Sequence, residues 1–271
     1  MPIVPVNGAQ VFVDDTAAPS DRPDAPTVVF GHGLLMSGRM FAAQVGRLRH
    51  RYRCVTVDWR GQGRSPAADH GYDMDTLTED AVAVIERLDA GAVHYVGLSM
   101  GGFVGMRLAA RHPTLLRSLV LLNTSAGPED PTRVGRYRLL ARIYGVTGVR
   151  PLRSQVEPIL FGKAYLADPA TKRQRDEWVA QVGAVKRSGM KKAIHGVTDR
   201  NPIVDELGRI TAPTLVVAGA DDIATPVPLA ETIAASIGGA HLEVVAECGH
   251  TSTLERPEVI GELIESFIDK H

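Results

Sequence analysis

The stretch Val93-His94-Tyr95-Val96-Gly97-Leu98-Ser99-Met100-Gly101-Gly102 decides how this chain folds. Its first four residues are a β-rich run, and the pattern after the turn predicts a helix from Met100 to about His112, stopped by Pro113. The Gly-x-Ser-x-Gly spacing keeps small residues on both sides of a sharp strand-to-helix turn. We therefore expect the hydroxyl of Ser99 to project from the edge of a sheet, beside a helix N-terminus, as a nucleophile.

Similar β-rich runs recur along the chain and alternate with helical patterns. This alternation predicts an α/β fold with a mostly parallel, doubly wound sheet built from right-handed crossovers. The predicted strands are Thr27 to Phe30, Cys54 to Val57, Val93 to Val96, Leu119 to Leu122, Thr214 to Ala218 and Leu242 to Val245. One helix is predicted to begin at the capping box Thr76-Leu77-Thr78-Glu79, and another to run from about Pro257 to Ile268.

Residues 127–209 interrupt this alternation. Apolar strand-like runs vanish there, and the segment holds 16 Lys and Arg against 9 Asp and Glu. Its local charge is therefore +7, while the rest of the chain carries −8. We expect a core domain formed by residues 1–126 and 210–271, interrupted by a mainly helical insertion of residues 127–209.

The whole chain is close to electrically neutral, which limits the classes of partner. Its 271 residues contain 30 Lys and Arg against 31 Asp and Glu, so neither nucleic acid nor an acidic membrane is expected. The longest run without Asp, Glu, Lys or Arg, Ala90 to Met106, is too short and too rich in glycine to cross a bilayer. No secretory signal is visible at the N-terminus, so a cytoplasmic location is expected. The sequence predicts no cofactor and no metal site, and it leaves the oligomeric state, a homodimer included, open.

A serine hydroxyl needs a base to activate it, and the base needs a group that orients it. The segment Gly219-Ala220-Asp221-Asp222 follows one predicted strand, and Glu247-Cys248-Gly249-His250 follows the next. Both segments are expected at the carboxyl edge of the sheet, where α/β folds place their binding sites. His250 is the predicted general base. Either Asp221 or Asp222 could orient it, because spacing alone does not separate adjacent carboxylates.

With these motifs the chain resembles the α/β-hydrolase superfamily over nearly its whole length. Members commonly carry a Gly-x-x-Asp-x-x-x-Pro segment whose Asp is the acid of the catalytic triad, and Gly219 to Pro226 is similar to it. The resemblance implies that Asp222 is the acid and that Asp221 is an exposed loop residue. The order Ser, Asp, His along the chain is the order expected for this fold.

Two further segments resemble loops of the same superfamily. Phe30-Gly31-His32-Gly33-Leu34 is similar to the segment in which a backbone N–H binds the oxyanion. The resemblance implies that the N–H groups of Leu34 and Met100 are the two donors, and that His32 shapes the loop. Asp58 to Ser65 resembles an Asp-x-Arg-Gly-x-Gly-x-Ser loop, which implies a tight turn beneath the active site with Arg60 in a structural ion pair.

The insertion at residues 127–209 resembles the helical cap that many of these hydrolases place over the nucleophile. Substrate choice is expected to reside there. Five apolar or aromatic side chains are candidates for the pocket wall: Tyr137, Leu140, Tyr144, Phe161 and Trp178. The positive charge of the cap is compatible with attraction of an anionic substrate, although Lys and Arg on helix surfaces usually face water.

The resemblance implies a serine hydrolase that cleaves a small carboxylic ester through an acyl-enzyme, that is, a carboxylesterase. Serine at the turn argues against haloalkane dehalogenases and epoxide hydrolases, which need Asp there. A 3-oxoadipate enol-lactonase is the main alternative, since a lactone is a cyclic ester. The sequence does not exclude four further functions: those of carbon–carbon bond hydrolases, perhydrolases, hydroxynitrile lyases and non-catalytic ligand-binding proteins.

Overall fold

The structure, a computed structural model, describes residues 3–271 and contains one eight-stranded sheet. The strands are β1 Ile3–Val6, β2 Ala9–Asp15, β3 Thr27–Gly31, β4 Arg53–Asp58, β5 Val93–Leu98, β6 Leu116–Leu122, β7 Thr214–Gly219 and β8 His241–Val245. Their order across the sheet is β1-β2-β4-β3-β5-β6-β7-β8. The β1–β2 and β2–β4 pairs are antiparallel, and the other five pairs are parallel. The predicted α/β fold with a mostly parallel sheet is confirmed.

Helices connect and flank the strands. They are α1 Ala42–Leu48, α2 Met74–Leu88, α3 Met100–Arg111, α4 Pro131–Thr147, α5 Arg153–Leu160, α6 Lys163–Ala167, α7 Lys172–Ala184, α8 Arg187–Thr198, α9 Val227–Ser236, α10 Ser252–Glu255 and α11 Pro257–Ile268. The predicted starts of α3 and α11 are confirmed. The capping-box interpretation of α2 is wrong, because Asp73 caps this helix. Oδ1 of Asp73 accepts from the N–H of Thr76 at 2.8 Å, so the carboxylate takes the role assigned to the Thr76 hydroxyl.

The two faces of the sheet bury separate apolar clusters. Val28 belongs to one cluster and Val29 to the other, because successive side chains of a strand point to opposite faces. Residues of α2, α3 and α9 cover the face of Val29. Residues of α1, α11 and the 127–209 segment cover the face of Val28. Burial on both faces explains the continuous apolar runs of the central strands β3 to β7, whereas β8 at the edge of the sheet is largely exposed.

The hairpin of β1 and β2 was not expected from the sequence. Asn7 and Gly8 connect the two strands with φ angles of 33° and 76°. An Asn-Gly pair favours the two-residue turn that matches the twist of the flanking strands, and it was the available signal. Through β2 the hairpin pairs with β4, where Phe12 lies opposite Asp58.

The 127–209 segment contains the five helices α4 to α8 and no strand. It leaves the sheet after β6 and returns at β7, and these two strands are neighbours in the sheet. The division of the chain into a core domain and a cap stays a prediction. Among residues 3–271, no helix is both long and apolar enough to span a membrane.

The loop after β4 contains a buried ion pair. Arg60 and Asp80 have fully buried side chains, and Nη2 of Arg60 donates to Oδ1 of Asp80 at 2.6 Å. Further Arg60 donors meet the carbonyl oxygens of Asn7 at 3.1 Å and His70 at 3.3 Å. The predicted structural ion pair of Arg60 is confirmed, and it fastens this loop to α2 and to the N-terminal hairpin.

Replacing Asp80 with Asn should destabilise the protein. The guanidinium of Arg60 would stay buried without its counter-charge, and breaking a buried pair in this way costs about 3–5 kcal/mol. We expect a loss of that order in the free energy of unfolding, measured by urea denaturation. Glu262→Gln is the control, because its side chain is 63% exposed beside Arg47 and such surface pairs contribute about 1 kcal/mol or less. An Asp80→Asn variant as stable as this control would contradict the structural role.

Candidate active site

Ser99 occupies a strained turn between β5 and α3. Its φ of 53° and ψ of −113° lie outside the regions that residues other than glycine ordinarily adopt. The N–H of Ser99 donates to the carbonyl of Leu122 at 2.9 Å, and its own carbonyl accepts from Oγ1 of Thr124 at 2.8 Å. Residues at the end of β6 therefore hold the turn on both sides of Ser99.

His250 and Asp222 follow the carboxyl ends of β8 and β7. Nδ1 of His250 lies 2.8 Å from Oδ2 of Asp222, and both side chains are buried. Asp221 is exposed, so Asp222 is the one of the two adjacent carboxylates that contacts His250. Ser99 and His250 line one cavity, so the structure brings the three predicted triad residues to a single site.

Four further hydrogen bonds hold the carboxylate of Asp222. Its Oδ1 accepts from the N–H groups of Ala224 at 2.8 Å and Thr225 at 3.0 Å. Its Oδ2 accepts from Oγ1 of Thr225 at 2.7 Å and from Nδ2 of Asn123 at 3.0 Å. Burial alone would raise the pKa of Asp222, but the charge of His250 and these bonds hold the pKa below its ordinary value of 3.8. Asp222 is therefore ionised beside His250 at neutral pH.

The pKa of His250 shifts in the opposite direction. Burial alone would lower it, but the charge of Asp222 and the hydrogen bond to it raise the pKa above the ordinary 6.5. The charges of Glu255 and Glu129 act in the same direction. Since Nδ1 faces Asp222, Nε2 is the ring nitrogen left to take a proton. His250 is thus a stronger base than a free imidazole.

Sequence reasoning missed two residues that support the acid. Nδ2 of Asn123 donates both to Asp222 and to the carbonyl of Gly249, each at 3.0 Å. The φ of Asn123 is 46°, a left-handed conformation that Asn tolerates better than most residues. Oγ1 of Thr225 donates to Asp222 and lies 3.3 Å from Nδ1 of His250. An Asn directly after an apolar strand, and a hydroxyl three residues beyond the acid, were the available signals.

The two predicted oxyanion donors flank Ser99. Leu34 lines the cavity together with Ser99, and Met100 is the first residue of α3. Within residues 3–271, neither the N–H of Leu34 nor that of Met100 donates to another backbone group outside the regular helices and strands. The first N–H groups of a helix have no partner inside it, so the N–H of Met100 at the start of α3 is suited to bind a developing anion.

Buried polar side chains shape the loop that carries the first donor. Nε2 of His32 accepts from the N–H of Trp59 at 3.0 Å. Burial lowers the pKa of His32, so its ring is neutral at pH 7. Oε1 of the fully buried Gln62 accepts from the N–H of Leu35 at 3.1 Å. These contacts agree with a structural role for His32.

The cavity beside Ser99 has a volume of about 140 Å³ and a mainly apolar wall. Three of the five predicted wall residues line it, and all three lie on α4: Tyr137, Leu140 and Tyr144. Other aliphatic and aromatic lining residues are Leu35, Phe103, Ala141, Val149, Leu152, Val156, Ile159, Leu160, Ile194 and Val197.

Phe161 and Trp178 do not line this cavity, contrary to expectation. Their rings pack edge to face with centroids 5.8 Å apart, and Tyr165 stacks on Phe161 at 5.2 Å. Nε1 of Trp178 donates to the carbonyl of Leu35 at 2.9 Å. Large aromatic rings bury much apolar area by packing on one another, and here they do so within the insertion. Trp178 therefore contacts the backbone next to Leu34, a predicted oxyanion donor, and not the cavity itself.

Arg200 and Glu129 are the charged residues that line the cavity besides the candidate general base. Nη1 of Arg200 lies 2.8 Å from Oε2 of Glu129. The remaining Arg200 donors meet the carbonyls of Gly127 and Val197 and the hydroxyl of Ser125, at 2.9 to 3.2 Å. The two charges neutralise each other, so the positive charge of the 127–209 segment does not make this cavity positive.

Replacing Asp222 with Asn should lower the pKa of His250. The variant removes the charge that raises this pKa and weakens the charge-assisted hydrogen bond, while burial continues to lower the pKa. NMR titration of the histidine ring protons, assigned with His250→Ala, measures the value directly. Asp221→Asn is the matched control, because this neighbour is exposed and does not contact the ring. An unchanged pKa in Asp222→Asn, or an equal drop in the control, would contradict the assignment of Asp222.

Comparisons with known proteins agree with this architecture. The profile of the family described as alpha/beta hydrolase fold matches residues 26–257. A protein named as a carbamate hydrolase, RutD, from Pseudomonas syringae pv. syringae is 28% identical over 258 residues, covering 90% of this chain and 94% of that protein. The 3-oxoadipate enol-lactonase 2 of Acinetobacter baylyi is 26% identical, covering 92% of this chain and 91% of that protein.

Solved structures give the same result. The crystal structure of the enol-lactonase from Burkholderia xenovorans LB400 superimposes with a TM-score of 0.90 at 25% identity. The match covers 99% of this chain and 100% of that one. Since the family profile also spans far more than half of the sequence, the chain belongs to the alpha/beta hydrolase fold family.

Proposed function

We propose that this protein is a serine hydrolase that cleaves small, neutral carboxylic esters through an acyl-enzyme on Ser99. The observation that carries the proposal is the apolar cavity lined by both Ser99 and His250, with His250 bonded to the buried carboxylate of Asp222. A nucleophile on a strained turn, a base of raised pKa and an ionised orienting acid are the parts that acyl transfer requires. Membership of a hydrolase family supports the same reaction class.

The first half of the reaction transfers the acyl group to the enzyme. Oγ of Ser99 attacks the carbonyl carbon of the ester, and Nε2 of His250 takes the hydroxyl proton. The carbonyl electron pair moves onto oxygen, where the N–H groups of Leu34 and Met100 stabilise the negative charge. When this intermediate collapses, the bond to the alcohol oxygen breaks and His250 gives its proton to the departing alcohol.

The second half releases the acid. A water molecule attacks the acyl carbon while Nε2 of His250 removes one of its protons. The bond to Oγ of Ser99 then breaks, and His250 returns the proton to that oxygen. Asp222 stays ionised in both halves and stabilises the imidazolium that forms twice in each cycle.

The size of the cavity limits the acyl group. Its volume of about 140 Å³ is close to the ~150 Å³ of an apolar protein cavity that holds a benzene molecule. A short acyl chain fits such a space, whereas a chain of eight carbons does not fit without displacing wall residues. We therefore favour acetyl to butyryl esters over long-chain esters.

A lactone that carries a carboxylate is the second candidate, favoured by Arg200 in the cavity wall and by the relatives named as enol-lactonases. Glu129 already pairs with Arg200, however. A carboxylate substrate would have to displace Glu129 or remain without a partner in an apolar cavity, and both cost free energy. Binding of a neutral ester requires neither of these steps, so we favour a neutral ester over an anionic lactone as the substrate.

Hydrolysis of p-nitrophenyl esters tests the proposed function. We expect the acetyl and butyryl esters to have higher kcat/KM than the octanoyl ester, because of the cavity volume. The kcat should fall by about 10⁴-fold or more in Ser99→Ala and in His250→Ala, the loss typical of a broken triad. Asp221→Asn is the control and should keep wild-type rates. Equal turnover by wild type and Ser99→Ala would refute the proposal.

Substrate charge distinguishes the two candidates. Wild type should have a higher kcat/KM for p-nitrophenyl butyrate than for p-nitrophenyl hemisuccinate, which ends a chain of similar length in a carboxylate. Glu129→Gln should narrow this ratio by about tenfold, because the charge of Arg200 then lacks a carboxylate partner and can pair with the substrate. A wild-type preference for the anionic ester would favour the lactonase candidate. An unchanged ratio in Glu129→Gln would show that Arg200 is not available to substrate.

A further inference from the structure

Glu255 is a buried carboxylate outside the triad that holds the backbone on both sides of His250. It lies at the end of α10 and is 9% exposed. Its Oε2 accepts from the N–H of Gly249 at 2.8 Å, and its Oε1 accepts from the N–H of Thr251 at 3.1 Å. One side chain therefore bonds to the residue before the candidate base and to the residue after it.

The same carboxylate bonds to the 127–209 segment. Its Oε2 also accepts from the N–H of Gly162 at 3.0 Å. The carbonyl of Leu160 lies 3.0 Å from both the N and the Oγ1 of Thr251. The N–H and the hydroxyl of Thr251 thus each have two acceptors, the carbonyl of Leu160 and Oε1 of Glu255. Oε1 of Glu255 lies 3.1 Å from the hydroxyl oxygen. We call residues 160–162 and 249–251, with Glu255, the clasp.

Close backbone packing fixes the spacing of the clasp. A Cβ on Gly249 would overlap the backbone nitrogen of Gly162, and a Cβ on Gly162 would lie 2.8 Å from the nitrogen of Gly249. Leu160, at the other end of the bonded segment, lines the cavity. One wall of the acyl cavity and the loop of His250 are therefore parts of one hydrogen-bonded unit.

We propose that Glu255 is a positioning residue that couples the cavity wall at Leu160 to the position of His250. The inference rests on the proposed function, and it assigns Glu255 no contact with substrate. A carboxylate suits this place because all four of its contacts are donors and a carboxylate only accepts. An amide in its place would turn an NH₂ group toward backbone N–H groups.

The charge of Glu255 gives the proposal a second observable. Three carboxylates act on His250 from three parts of the fold: Asp222 after β7, Glu255 on α10 and Glu129 before α4, the last paired with Arg200. Removing the charge at position 255 should therefore lower the pKa of His250 although the ring itself loses no hydrogen bond. An uncharged residue that only held the loop in place would not have this effect.

Glu255→Gln tests the proposal, with Glu247→Gln as matched control. Glu247 lies three residues before His250, its side chain is 75% exposed, and it pairs with Arg256 outside the clasp. In Glu255→Gln we expect kcat/KM for p-nitrophenyl butyrate to fall by about tenfold or more, the effect of losing a buried charge-assisted hydrogen bond. The acid limb of the pH profile should move to lower pH, because protonation of His250 inactivates the base. Glu247→Gln should change neither.

A folded Glu255→Gln variant with wild-type kinetics and an unmoved acid limb would overturn the proposal. If that variant does not fold, Glu255→Asp is the second test, because it keeps the charge on a side chain that is shorter by one methylene group. Glu255→Asp should lower kcat at an unchanged acid limb, and wild-type kcat in Glu255→Asp would overturn the proposal. NMR titration of His250 in Glu255→Gln needs no turnover. It separates failure of this inference, an unshifted pKa, from failure of the proposed function, which is absence of ester hydrolysis by wild type.

Discussion

The close approach of α3 to β3 is the constraint on which the rest of the site depends. A side chain at position 101 would overlap the carbonyl of Gly31, so glycine there lets the helix begin directly after Ser99. Ser99, the residue before this helix, has a strained φ, and hydrogen bonds to Leu122 and Thr124 hold its backbone. Because the helix starts at Met100, its unpaired N–H lies beside the nucleophile. The candidate nucleophile and one candidate oxyanion donor thus come from a single backbone feature.

The buried charged side chains of the site are each paired or hydrogen-bonded. Asp222 pairs with His250, Arg200 pairs with Glu129, and Glu255 is bonded by four donors. Each would be costly to bury alone. The pairing of Asp222 with His250 holds the pKa of Asp222 below its ordinary value and raises the pKa of His250, so Asp222 is ionised and His250 can accept a proton near neutral pH. The pairing of Arg200 with Glu129 leaves the cavity itself without net charge.

Features that are local in sequence could be predicted. The central strands β3 to β7 are largely buried on both faces, so each contains a continuous apolar run, and the Gly-x-Ser-x-Gly turn places Ser99 without further information. The two adjacent carboxylates after β7 could be separated only by resemblance, since one is buried and the other exposed by the course of a loop. The start of α2 was misplaced by three residues because Asp73 caps the helix, and the hydroxyl of Thr76 donates to Asp73 instead of accepting from a helix N–H.

Features that depend on distant packing could not be predicted. Phe161 and Trp178 are aromatic, as residues of pocket walls often are. Whether they face the cavity depends on how the helices of the 127–209 segment pack against one another. Glu255 bonds to Gly162, 93 positions away, and Asn123 bonds to Asp222, 99 positions away. The position of Asn123 directly after an apolar strand is a signal for that residue, but no pattern along the chain identifies either contact partner.

Covalent labelling of Ser99 is the most direct test of the catalytic site. A fluorophosphonate reacts with an activated serine hydroxyl, and the tryptic peptide Leu88–Arg107 contains Ser99 as its only serine. Mass spectrometry should find the phosphonyl group on that peptide in wild type, and labelling should be far slower in His250→Ala. An unlabelled Leu88–Arg107 peptide from folded wild-type protein, or labelling at the same rate without His250, would contradict a triad built on Ser99.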